Sequence, residues 1–134
     1  MQKRIWHYLV AAGMLQAGNN YFLLAQSARS VDKNRIKVET QPGANLGEKL
    51  ASCIRELGPS GGTCDALSIS GRQVAKVDPF AGSEGMVKVL LGSVIIETAQ
   101  PWALPDKVEL AGRGPGTVLR LAPGVNSNLI VNAN

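Results

Sequence analysis

The chain has 134 residues, 14 Lys and Arg against 10 Asp and Glu, one histidine and two cysteines. That length has room for one domain. The formal charge of +4 is small, and no basic cluster is interleaved with aromatics, so nucleic acid is not expected as a partner.

The segment at the start reads as a secretory leader. Lys3 and Arg4 are followed by the apolar run Ile5 to Leu15, then by Asn19-Asn20 and a second run, Tyr21 to Ala25. Ala25-Gln26-Ser27 is a small-x-small pattern that a signal peptidase could cut, giving a signal peptide over residues 1–27. An uncleaved membrane anchor is the alternative. Cleavage leaves 107 residues (134 minus 27) with a charge of +2, outside the cytoplasm and with no membrane contact expected. His7, the sole histidine, departs with the leader. What remains cannot build a Ser-His-Asp or Cys-His arrangement or an imidazole metal site. Neither a metal site nor a cofactor site is identifiable.

Residues 28–35 form a polar, flexible lead-in, and Ile36–Thr40 alternates as a half-buried strand does. Gln41-Pro42-Gly43 is a turn. A helix is predicted at about 45–57: Asn45 can cap it and Glu48 can return the bond. Leu46, Leu50, Cys53, Ile54 and Leu57 recur on one stripe, while Glu48, Lys49, Arg55 and Glu56 face water. Gly58 and Pro59 stop it. Thr63–Ile69 reads as a strand, although a buried Cys64 turns Leu67 and Ile69 outward unless the chain bends. Ser70-Gly71-Arg72 and Asp78–Gly82 read as turns.

Cys53 and Cys64 are too few for a zinc cluster. Secretion favours their pairing as a disulfide between helix and strand, two buried free thiols being the alternative.

From Met86 on, five short apolar segments follow: Val87–Leu91, Val94–Glu97, Lys107–Leu110, Thr117–Leu121 and Asn128–Val131. Each is bounded by Gly, Pro or Asn. Val89-Leu90-Leu91-Gly92 is echoed nineteen residues on by Val108-Glu109-Leu110-Ala111, and Leu110 again by Leu129. A step near twenty residues suits stacked coils of a solenoid, though a β-sandwich also spaces short strands evenly.

The order of phrases is specific. Asn45–Leu57, Gly61-Gly62-Thr63, Val89–Gly92, Pro101–Pro105, Val108–Gly114 and Gly116–Leu119 follow one another as in pectate-lyase-like proteins. Residues 36–134 resemble the N-terminal cap and first coils of that superfamily's single-stranded right-handed parallel β-helix. Two phrases depart: Pro42-Gly43-Ala44 stands where many relatives carry aspartates, and Val94-Ile95-Ile96 where Gly-Thr-Tyr is common. The resemblance implies a mainly β fold, a truncated parallel β-helix whose next coil is missing. It further implies polysaccharide as partner and a lyase or hydrolase as the complete protein, the fragment itself being inert. The alternative is a glycan-binding surface scaffold or spike of the same fold.

No catalytic residue is assigned. Hydrolysis of a glycosidic bond needs two carboxyl groups across it. Asp65, Asp78, Glu84, Glu97, Asp106 and Glu109 are available, and no spacing singles out a pair. In the resembled family these groups usually come from later coils. Trp102 is the one candidate for stacking on a sugar ring, against the plainer role of packing under its loop. Gly112–Gly116 lacks the lysine and helix of a phosphate cradle and reads as a corner.

Overall fold

The computed structural model describes residues 34–133. The proposed leader and all of the lead-in but Asn34 and Arg35 lie outside them. Among the described residues no helix is long and apolar enough to cross a membrane.

The described part is mainly β, with nine strands and one α-helix. In chain order these are β1 (Arg35–Lys37), α1 (Leu46–Leu57), β2 (Gly62–Ala66), β3 (Gly71–Ala75) and β4 (Val87–Leu91). After them come β5 (Val94–Thr98), β6 (Trp102–Leu104), β7 (Val108–Ala111), β8 (Val118–Leu121) and β9 (Ile130–Asn132). The predicted strand over Ile36–Thr40 ends early, at Lys37. There the chain tightens into a 3-10 turn, with the Gln41 amide donating to Val38 O (3.0 Å) and Thr40 Oγ1 donating to Lys37 O (2.8 Å).

Three sheets result, ordered β1-β2-β4-β7, β3-β5-β8 and β6-β9. Every described pairing is parallel. From β4 on, the chain enters the first, second and third sheet in turn, then repeats that order with β7, β8 and β9. The spatial step from β4 to β7 is 21 residues (108 minus 87), and from β5 to β8 it is 23 (118 minus 95). The sequence echo of nineteen is thus displaced by two from the true register: Val89 lies over Leu110, not Val108. A shift of two keeps each side chain on its own face, since strand side chains alternate.

Alternation sorts the first sheet cleanly. Ile36, Cys64, Val89 and Leu110 are register partners that form one inward ladder. In the second sheet Gln73, Ile96 and Leu119 do the same, beside Ala75, Thr98 and Leu121. Cys64, Val89 and Ile96 are fully buried. The doubt over Thr63–Ile69 is resolved by a bend after Ala66: Asp65 Oδ1 accepts from the Leu67 amide at 2.9 Å, and the Ile69 amide donates to Ala66 O at 3.2 Å. Cys64 and Ala66 therefore point inward, and Leu67 and Ile69 stay half-buried beyond the turn.

The helix forms as its chemistry predicts. Asn45 caps it by accepting from the Glu48 amide (3.2 Å), and the Glu48 carboxylate accepts from the Ala44 amide (2.7 Å). Its stripe of Leu46, Leu50, Cys53, Ile54 and Leu57 is buried, against β1, β2 and β3. Cys53 and Cys64 are disulfide-bonded, both fully buried, so the helix is tied covalently to the strand beneath it.

The turn out of the helix makes an internal comparison. Gly58 and Gly61 both have positive φ, +58° and +69°. A Cβ on Gly58 meets nothing within 4 Å, whereas on Gly61 it lands 2.2 Å from Met86 O, in backbone that cannot step aside. Gly58→Ala should cost about 2 kcal/mol, because at φ +58° and ψ −154° its backbone lies in a region open essentially to glycine alone. Gly61→Ala has the same backbone penalty, at φ +69° and ψ −167°, with the collision added, and should cost about 3 kcal/mol. Urea midpoints of the two variants check this, and equal losses would contradict it.

Candidate functional site

The outward residues of the four-stranded sheet are the charged ones. Register places Arg35, Thr63, Lys88 and Glu109 in one row across it, and Lys37, Asp65, Leu90 and Ala111 in the next. Lys88 Nζ lies 3.3 Å from Glu109, one strand away. Where β2, β4 and β7 begin, a cleft of about 340 Å³ opens on this face. Gly62 and Thr63 line it with Met86, Lys88, Asp106, Lys107 and Glu109. Met86 is 74% exposed, a large apolar side chain in water beside two ammonium and two carboxylate groups. An apolar body rimmed by donors and acceptors is what a sugar ring, with its hydroxyls and apolar face, can use.

Two of the six carboxylates weighed from sequence, Asp106 and Glu109, come together at this cleft. Others are engaged elsewhere. Asp78 bridges two segments, accepting from the Phe80 amide through Oδ1 (3.0 Å) and from the Ala103 amide through Oδ2 (3.1 Å). Glu97 lies on the outer face of the second sheet, 3.1 Å from Arg120 and 3.6 Å from Arg72. Asp65 accepts from Arg35 Nε and Nη2 at 3.0 and 2.8 Å. Among the described residues no three His, Cys, Asp or Glu side chains are grouped as metal ligands.

Burial alone would push the Asp65 carboxyl up, and it is the largest single influence. The Leu67 amide, the Arg35 guanidinium and the charge of Lys37 together outweigh it, and the carboxyl sits below its ordinary range. A depressed folded-state value gives stability that is present above the unfolded value, about 4. It is lost as pH falls through the folded value. The chain should therefore lose stability below about pH 4, and Arg35→Met should flatten that limb. At neutral pH the half-exposed pair contributes less than about 1 kcal/mol. Urea midpoints at about pH 6 and about pH 3 for both proteins test it. An unchanged acid limb in Arg35→Met would show that Arg35 does not hold the carboxyl down.

Trp102 must be corrected as a sugar-stacking candidate. It is fully buried, meeting Phe80 edge to face with ring centroids 5.7 Å apart. Its register partner is Ile130, so its ring points into the core and offers no face to a ligand. The loop over Gly112–Gly116 is a corner, as read: Thr117 Oγ1 donates to Gly92 O and accepts from the Arg113 amide, both at 2.7 Å. A second cleft of about 420 Å³ lies between the first turn of α1 and Ser68–Ser70. Its polar groups serve the cap, with Asn45 Oδ1 accepting from Glu48 and Lys76 and with Gln73 donating to Ser70 O.

Sequence reasoning missed the cleft because its walls come from three strand entries far apart in the chain. The available signal was the pair Lys88 and Glu109, opposite charges at outward positions of adjacent strands. No family model, curated protein or solved structure matches the chain.

Proposed function

We propose that residues 34–133 are the helix-capped end of a right-handed parallel β-helix of the pectate-lyase-like kind, in a chain that handles polysaccharide outside the cytoplasm. The observation that supports this best is the order of the strands. All pairings are parallel, three sheets are entered in rotation, and a helix covers the first strands. Each strand then adds to the one a turn earlier, the organisation of a quasi-one-dimensional fold. The buried Cys53–Cys64 disulfide fits an oxidising compartment.

The ligand surface in this reading is the outer face of the four-stranded sheet. A polymer would lie across Thr63, Lys88 and Glu109 with a sugar ring seated over Met86. Asp65, Asp78 and Glu97 are committed to arginines or backbone amides, which favours binding over cleavage by these residues. The same observation favours a glycan-binding scaffold as the second reading.

The test is incubation of the chain with polygalacturonate and with neutral polysaccharides, following sedimentation with the polymer, reducing ends and unsaturated products. Retention without turnover is expected, weakened about 10-fold by Met86→Asp. Turnover would overturn the inert assignment, and failure to bind any polymer would overturn the polysaccharide reading.

A further inference from the structure

Met86, the residue before β4, joins a fixed backbone to a bare side chain. Its carbonyl oxygen accepts from the Gly62 amide at 2.9 Å, and the next amide, that of Val87, donates to Lys107 O at 3.1 Å. These bonds continue the ladders of β2, β4 and β7 by one step and set Met86 between Gly61 and Lys107. Gly61 can carry no side chain there, since a Cβ would fall 2.2 Å from Met86 O. One flank of the thioether is therefore open, and the side chain is 74% exposed. A strand lies on each side of β4, so this exposure belongs to the middle of the sheet and not to an edge. The other sulfurs of the described residues are the reverse case: Cys53 and Cys64 are bonded to each other and fully buried.

We propose that Met86 is a reversible oxidation site for hydrogen peroxide, and that its sulfoxide weakens binding at the cleft. A thioether has no proton to lose before it reacts, so access to the sulfur decides the rate. Sγ gives an electron pair to one peroxide oxygen, and the S–O bond forms as the O–O bond breaks. The hydroxide that leaves takes the proton of the transferred oxygen and departs as water. Sulfur loses two electrons and peroxide gains them. The product turns a flexible apolar side chain into a polar, chiral one. Lys88 and Lys107 line the same cleft and carry ammonium donors for the new oxygen. The fold is spared, because the side chain lies outside the buried core and the backbone bonds of Met86 do not involve sulfur. The oxidation site stands on geometry alone, while the effect on binding rests on the polysaccharide reading above.

The full chain is treated with dilute hydrogen peroxide and followed by peptide mass mapping and polymer sedimentation. Met86 should gain one oxygen at a rate comparable to that of a short methionine peptide in the same solution. The disulfide and the far-ultraviolet circular dichroism should stay as they were. Polymer binding should weaken about 10-fold, and methionine sulfoxide reductases of both stereospecificities should restore mass and binding together. Binding by Met86→Leu should not respond to peroxide, which separates Met86 from Met1 and Met14. A Met86 that stays unoxidised while the peptide reacts would overturn the site. Binding unchanged by the added oxygen, or an equal response in Met86→Leu, would overturn its effect on the cleft. Oxygen uptake at Met86 in a chain that binds no polymer before or after would bear out the site and sink the polysaccharide reading.

Discussion

Trp102→Ala should cost about 4 kcal/mol, the largest loss expected of any single substitution considered. The ring is fully buried, closes against Phe80 edge to face, and sits on the third sheet where only β9 backs it. A cavity of that size cannot collapse, because Ala103 beside it is held by Asp78 Oδ2 through its amide at 3.1 Å. Trp102→Phe should cost far less, about 1 kcal/mol. The indole Nε1 has no hydrogen-bond partner among the described residues, so phenylalanine removes volume but no bond. Urea unfolding of both variants measures the difference. Equal losses would mean that the hydrogen on Nε1, and not the packing of the ring, holds the loop.

Replacing both cysteines, Cys53→Ala with Cys64→Ala, should cost about 3 kcal/mol. The bond closes a loop of sequence separation 11, and its removal restores freedom to the unfolded chain. It also frees the helix from β2 at the point where Cys64 continues the ladder of Ile36 and Val89. Both sulfurs are fully buried, so reductant should act on the native protein only through opening of the helix. Dithiothreitol followed by alkylation, with and without urea, reads this directly. Labelling of the native chain at the rate of an exposed thiol would show that the helix does not cover the bond.

The helix was legible in the sequence because each part of its signal is local. Asn45, Glu48, the apolar stripe and Gly58 all lie within 14 residues, and the observed span, Leu46–Leu57, starts one residue past the cap. The alternating strands after Met86 were legible for the same reason, with β4 found over the residues expected. Two strands were not. Gly71–Ala75 carries Gln73 where alternation would ask for an inward aliphatic, and Gln73 stands in register with the buried Ile96 all the same. Trp102–Leu104 is three residues between prolines and reads as loop, yet the Trp102 amide donates to Leu129 O at 2.9 Å and β9 pairs along it. Both owe their state to a neighbouring strand brought up from more than twenty residues away, which no local pattern records.

Register was illegible for a related reason. The echo of nineteen follows residue types, whereas the step of 21 is set by the corner between β5 and β6 and the turn before β7. A slip of two residues preserves parity, so Val108 and Leu110 lie on the same face of their strand. The cleft beside Met86 depends on that same register, through Lys88 lying over Glu109, and could not be drawn from composition.

The measurement closest to the centre of the account is a set of nuclear Overhauser contacts between β4 and β7 in the labelled chain. Parallel winding predicts that Val87 meets Val108 and Leu90 meets Ala111. The reverse pattern, Val87 against Ala111 and Leu90 against Val108, would mean antiparallel neighbours, and the β-helix reading would fall with the ligand face built on it.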